Sequence, residues 1–292
     1  MPTAPADAAA LSYAILTYLV LIAGLLVWLG VTIRLRRNPP DMAALSVRFH
    51  RTPWTLQDLR LATAVVLALF GILILARVGA YWLYPAAYEE DTRGPVVLGN
   101  TLLFTSAGIA FVAFRVRQRR LTWEHAFGLR MNGLAGNVLH GVGGYLAAIP
   151  LVLASGYAYD AYLRSIDYPV RLQEIAQILR QPGLPAWQTA GIVAVVTVFA
   201  PVMEELLFRG IALPVLARHW GILRAALAVS LAFAFIHFHV ESIVPLFVIS
   251  LGFSLVYVLS GSVLAPIVMH AVFNAVNIAG LLLLRHAAPT GG

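Results

Sequence analysis

Ionisable side chains recur inside apolar stretches of the last third of this chain. One stretch carries Glu204-Glu205-Leu206-Leu207-Phe208-Arg209, a second carries Phe233, His237, His239 and Glu241, and a third carries His270 and Asn274. An ionisable side chain in hydrocarbon costs at least ~2.5 kcal/mol, so its presence is a functional-site hypothesis by default. Spacing sorts these residues. Glu205 and Arg209 stand i, i+4 on one helix face and can form an ion pair. Glu204 is turned about 100° from Glu205 at ~3.6 residues per turn, which frees it to point at another helix. His270 and Asn274 are again i, i+4 and project together. On a helix His239 lies about 200° round from His237, so the two do not share one site, and His237 is preferred as the deeper.

The chemistry within reach of such a set is hydrolysis. A carboxylate flanked by a histidine can take a proton from water, and a second histidine with an asparagine amide can donate to a developing oxyanion. Peptide-bond cleavage needs both. Pairing with Arg209 keeps Glu205 ionised and structural while Glu204 does the proton work, a separation of roles by environment. Competing signatures are absent: there is no His-Glu-x-x-His zinc motif, no Gly-x-Ser-x-Gly elbow and no cysteine for a nucleophile, a disulfide or a thiolate metal site. A zinc ion held by Glu and two His stays open as an alternative. It ranks below water activation without any cofactor.

The elements that must position these residues are membrane helices. Of 292 residues, 60% are hydrophobic and 11% charged, and the mean hydropathy is +0.83. A soluble domain carries about 25% charged residues, so the expected solvent is the lipid bilayer. A spanning helix needs about 20 apolar residues. Runs near 11–33, 61–84, 96–114, 136–157, 187–213, 225–240, 243–259 and 263–284 predict an all-α, polytopic membrane protein of about eight transmembrane helices. The net charge of +7 is carried by arginine alone, without a single lysine. In a membrane protein this reads as topology and not as nucleic-acid binding. The first run is too long for a signal-peptide core and has no basic residue before it, so it reads as an uncleaved span.

Orientation follows from the arginines. With the N-terminus outside, segments 34–60, 115–130 and 218–224 hold six, five and two arginines on the inner side. The outer segments hold five: Arg93, Arg164, Arg171, Arg180 and Arg285. That asymmetry predicts cytoplasmic basic loops and extracytoplasmic termini. The acidic run Glu89-Glu90-Asp91 also falls outside. Arg77 lies about two turns from an outer helix end, near enough to snorkel. The 34–60 loop has room for a short interfacial helix. Residues 158–186, with Ile166, Leu172, Ile175 and Leu179 among polar neighbours, predict an amphipathic outer helix closed by Pro182 and Pro185. The glycines of Gly141-Val142-Gly143-Gly144 read as a packing surface. At ~1.5 Å per residue from the cytoplasmic ends, Glu204 lies about 14 Å deep, His237 about 20 Å and His270 about 10 Å, so the three motifs can meet in one cavity.

Glu204-Glu205-x-x-x-Arg209, Phe233-x-x-x-His237 and His270-x-x-x-Asn274, in that order, resemble the CAAX protease and bacteriocin-processing family. These are glutamate-type intramembrane proteases related to the prenyl-protein endopeptidase. The resemblance covers roughly residues 187–284. It divides the chain into an N-terminal membrane region (1–186) with four spans and an outer amphipathic loop, a catalytic membrane domain (187–284) and a tail (285–292). The resemblance implies an eight-helix fold around a membrane-embedded cavity, with Glu204 and His237 activating water and His270 and Asn274 forming the oxyanion hole. Glu205, Arg209 and Phe233 would support them, and the partner would be a membrane-associated protein or peptide. Arginine-only, alanine-rich composition suggests a GC-rich bacterial gene, hence a bacterial inner membrane, and disfavours prenylated substrates. Two other classes compete: a non-catalytic immunity or scaffold protein of the same fold, and a proton-coupled transporter. No inverted repeat supports transport.

Overall fold

A computed structural model describes residues 5–83, 90–181 and 183–287. Helix is the regular secondary structure of the described residues, with no strand among them. In chain order the helices are α1 (Pro5–Arg37), α2 (Met42–His50), α3 (Leu56–Leu83), α4 (Glu90–Gln118), α5 (Trp123–Phe127), α6 (Leu134–Ser165), α7 (Glu174–Leu179), α8 (Ala186–Trp220), α9 (Ile222–Phe235), α10 (Ile243–Ser260) and α11 (Leu264–Ala287). Seven of the described helices are long and apolar enough to cross a bilayer. Their exposed faces carry Leu, Ile and Trp, such as Leu75, Trp82 and Leu139, as a lipid-facing surface requires. The chain is a polytopic all-α membrane protein.

The sixth of the eight expected spans differs from expectation. Instead of a helix over 225–240, α9 stops at Phe235 after 14 residues, about 21 Å of helix against a hydrocarbon core of ~30 Å. Phe238 then adopts a left-handed φ of 48°, and Val240–Ser242 forms a single 3-10 turn before α10. The helical rotation argument therefore does not apply to His239, which lies beyond the end of α9. The amphipathic helix expected in 158–186 is also shorter than its sequence pattern suggests. α7 spans six residues, with Ile178 and Leu179 fully buried, while Ile166 and Leu172 are exposed in the approach to it. Glu89 and Pro182 lie outside the described residues, as do the last five residues of the tail.

Long-range contacts gather the arginine-rich segments at one end of the bundle. Asp41 caps α2 by accepting from the backbone N–H groups of Ala43 and Ala44. Arg48 of α2 donates to the Val258 carbonyl at 2.7 Å. The Trp54 indole donates to Ala126 at 3.1 Å, and Arg218 donates to Thr52 at 2.5 Å. Asp58, buried at the start of α3, forms ion pairs with Arg115 of α4 and with Arg119 just past its end. Inside this end lies a packed core containing Trp54, Phe127, Met203, Ile211 and Leu213.

Two of the three glycines in the 141–144 run of α6 stand at close helix contacts. A Cβ on Gly141 would lie 2.6 Å from the Ala265 carbonyl, and one on Gly144 would lie 2.4 Å from Val256, whereas Gly143 faces open space. Helices α10 and α11 thus approach α6 closely where it has no side chain. That close packing makes α6 one wall of the cavity described next.

Candidate active site

Two prolines shape the helix that carries the glutamates. α8 runs unbroken from Ala186 to Trp220 but widens into π-helix at Val195–Phe199 and at Leu206–Ala212. Each widening stands just ahead of a proline, Pro201 and Pro214. Proline has no N–H to give and its ring crowds the carbonyl one turn back, which a π-bulge relieves. In the first bulge Ala200 N–H bonds the Val195 carbonyl, five residues back. In that register the next carbonyl, Val196, would pair with residue 201, which is proline. The Asn274 side-chain amide of α11 donates to Val196 instead, at 2.7 Å. The second bulge contains Arg209.

Glu205 and Arg209 are both fully buried and are joined at 3.0 Å. Arg209 also donates to the Ser250 carbonyl at 2.8 Å and to its hydroxyl at 2.5 Å, tying α8 to α10. Its guanidinium sits between the rings of Phe233 and Phe253, 5.0 and 5.1 Å from their centroids, a cation–π arrangement that burial strengthens. Glu205 Oε1 accepts from His270 Nδ1 at 2.9 Å. His270 stacks on Phe253 with centroids 4.7 Å apart, and its Nε2 lies 3.9 Å from Glu204 Oε2. The imidazole of His270 is therefore held by a carboxylate on one nitrogen and by a ring on its face.

His237 is placed by the end of α9. Its Nδ1 donates to the Phe233 carbonyl at 2.7 Å, satisfying one of the carbonyls that a helix C-terminus leaves unpaired. That bond commits the ring proton to Nδ1 and leaves Nε2 as the nitrogen with a free lone pair. His239 turns to the rim, where Nδ1 meets the Ser242 hydroxyl at 2.8 Å and Nε2 meets the Arg171 carbonyl at 3.0 Å. Glu241 accepts from the Arg171 backbone N–H at 2.9 Å. These two residues strap the chain at Arg171, ahead of α7, to the turn that precedes α10, at the end of the bundle away from the arginine-rich loops. Arg77 is at the rim as well, paired with Glu174 at 3.3 Å.

Glu204, His237, His270 and Asn274 all line one cavity of about 620 Å³, with Phe233 and Phe253 also in its wall. Glu205 and Arg209 lie behind that wall. Glu204 Oε2 is buried and has no hydrogen-bond partner among the described residues, so it keeps lone pairs to spend on a ligand in the cavity. No group of three His, Asp or Glu side chains among the described residues is arranged to hold a metal ion. Phe253, Ser250 and the Val196 carbonyl hold the site together, and none of them stands out in the sequence. A serine and a phenylalanine in an apolar helix read as ordinary residues, and a freed backbone carbonyl has no residue type at all.

Fold and site define a class: a helical membrane protein with a polar constellation buried in an apolar, membrane-embedded cavity. Residues 186–276 match the family model described as type II CAAX prenyl endopeptidase Rce1-like. The matched stretch begins at α8 and ends in α11, and it contains all three motifs. This similarity points to a peptidase that works within the membrane. No curated protein and no solved structure matches the chain.

Proposed function

We propose that the protein is a glutamate-dependent intramembrane endopeptidase acting on a membrane-associated protein or peptide. The observation that carries this reading is Glu204, whose Oε2 has no hydrogen-bond partner among the described residues and which lines the same cavity as His237, His270 and Asn274. In the reaction, Glu204 takes a proton from water, assisted by the free Nε2 of His237. The water oxygen adds to the scissile carbonyl carbon. The carbonyl oxygen becomes an oxyanion and accepts from the second N–H of the Asn274 amide, whose first is engaged by Val196. It also accepts from His270 Nε2 when that ring carries both protons, since Nδ1–H is occupied by Glu205. The C–N bond then breaks, the proton passes to the departing amine, and a carboxylate and an amine are left. Preorganised donors of this kind are worth about 2.7–4 kcal/mol each in a dry site.

The arginine asymmetry supports an orientation with both termini extracytoplasmic in a bacterial inner membrane. Cleavage of membrane-anchored peptides by purified wild type and Glu204→Ala in detergent tests the activity. Loss in the variant supports the reading, and equal turnover contradicts it. Turnover that survives exhaustive chelation favours water activation; loss on chelation with rescue by zinc favours a metal.

A further inference from the structure

The two ends of the cavity differ. At one end it reaches Tyr157 and Asp160 near the C-terminus of α6, Gln173 ahead of α7 and Ser242 ahead of α10, all polar rim positions. At the other it ends on Glu204, Phe253 and His270. Beyond that floor, toward the arginine-rich loops, Phe127, Ile211, Leu213 and Trp54 fill the bundle with no more than 1% exposure each. A close-packed core of this kind admits no chain. Entry is thus from the end opposite the basic loops.

Thirteen arginines fall in segments 34–60, 115–130 and 218–224 at the packed end, and five at the open end. The positive-inside rule assigns the packed end to the cytoplasm. We infer that the catalytic cavity opens toward the extracytoplasmic side. Its substrate is then the extracytoplasmic juxtamembrane segment of a membrane-anchored polypeptide, not a polypeptide presented from the cytosol. This rests on the endopeptidase reading and specifies its substrate class. The walls suit such a segment. Ile149, Val152, Leu246 and Ile249 present apolar surface below the polar rim, matching a chain that passes from water into hydrocarbon. The His239–Glu241 strap lies over this same end.

The chain has no cysteine, so single replacements report sidedness cleanly. Asp160→Cys marks the rim and Arg51→Cys the opposite end. In spheroplasts a membrane-impermeant maleimide should label the protein at 160 without permeabilisation and at 51 only after it. The reverse pattern overturns the inference. A second arm compares newly formed protein termini in cells carrying wild type and Glu204→Ala. Glu204-dependent termini in extracytoplasmic juxtamembrane segments are expected, and termini in cytoplasmic segments overturn the substrate class. Outside labelling at 160 with no Glu204-dependent termini counts against the endopeptidase reading while the sidedness stands.

Discussion

The side-chain amide of Asn274 on α11 donates to the main-chain carbonyl of Val196 on α8 at 2.7 Å. The carbonyl is available because Pro201 follows it by five residues in a π-helical register. A proline on one helix thereby fixes the orientation of an amide on another. If Asn274 serves the oxyanion, its aim depends on that bond.

Replacing Pro201 by alanine restores an N–H that can bond within α8. The variant should gain thermal stability, because an interior proline costs a helix about 3 kcal/mol. It should also lose at least several-fold in peptide turnover, because Asn274 is released from Val196. Melting in detergent and a cleavage assay together check this; unchanged turnover would remove the link between the bulge and the site.

Arg209 neutralises a fully buried carboxylate. Arg209→Ala leaves Glu205 without its cation and should destabilise the protein by about 3–5 kcal/mol, since an unpaired charge stays behind. Arg209→Lys keeps the charge but loses the planar fork that reaches both Glu205 and Ser250, so its unfolding temperature should fall between those of wild type and the alanine variant.

Ser250 holds Arg209 through its hydroxyl and its carbonyl. Ser250→Ala removes the hydroxyl alone and should cost about 1.5–3 kcal/mol of stability, the range for a hydrogen bond to a charged group. Chemical denaturation in mixed micelles can resolve a change of that size.

The glycine surface of α6 offers a paired test. Gly144→Val meets Val256 and Met269 and should cost about 1–3 kcal/mol through overpacking. Gly143→Val, one residue away with nothing near its Cβ, should melt like wild type.

Much of this arrangement is legible in the sequence because helical spacing is a geometric code. The i, i+4 ion pair of Glu205 and Arg209, and the turn that frees Glu204 from it, follow from 3.6 residues per turn. The span pattern follows from hydropathy, and the glycine surface from residue size. The end of α9 is not legible. Phe235-Ile236-His237-Phe238 has no glycine or proline to stop a helix, and the stop depends on His237 capping Phe233 and on the strap that binds His239. The π-bulges are hidden for a related reason. Prolines signal a disturbance in α8, but which carbonyl is freed and who takes it depends on a helix 78 residues away in sequence. The aromatic clamp of Phe233 and Phe253 around Arg209 is likewise a tertiary fact.

The central claim is that Glu204 does chemistry and does not merely help pack the bundle. Glu204→Gln keeps the size of the side chain and its ability to hydrogen-bond while removing its basicity, so the fold should survive with an unchanged melting temperature. Turnover of a membrane-anchored peptide by the purified variant, beside wild type, is the direct measurement. The account predicts a loss of at least ~100-fold, the range general-base removal gives. Turnover equal to wild type by a correctly folded Glu204→Gln protein would contradict it.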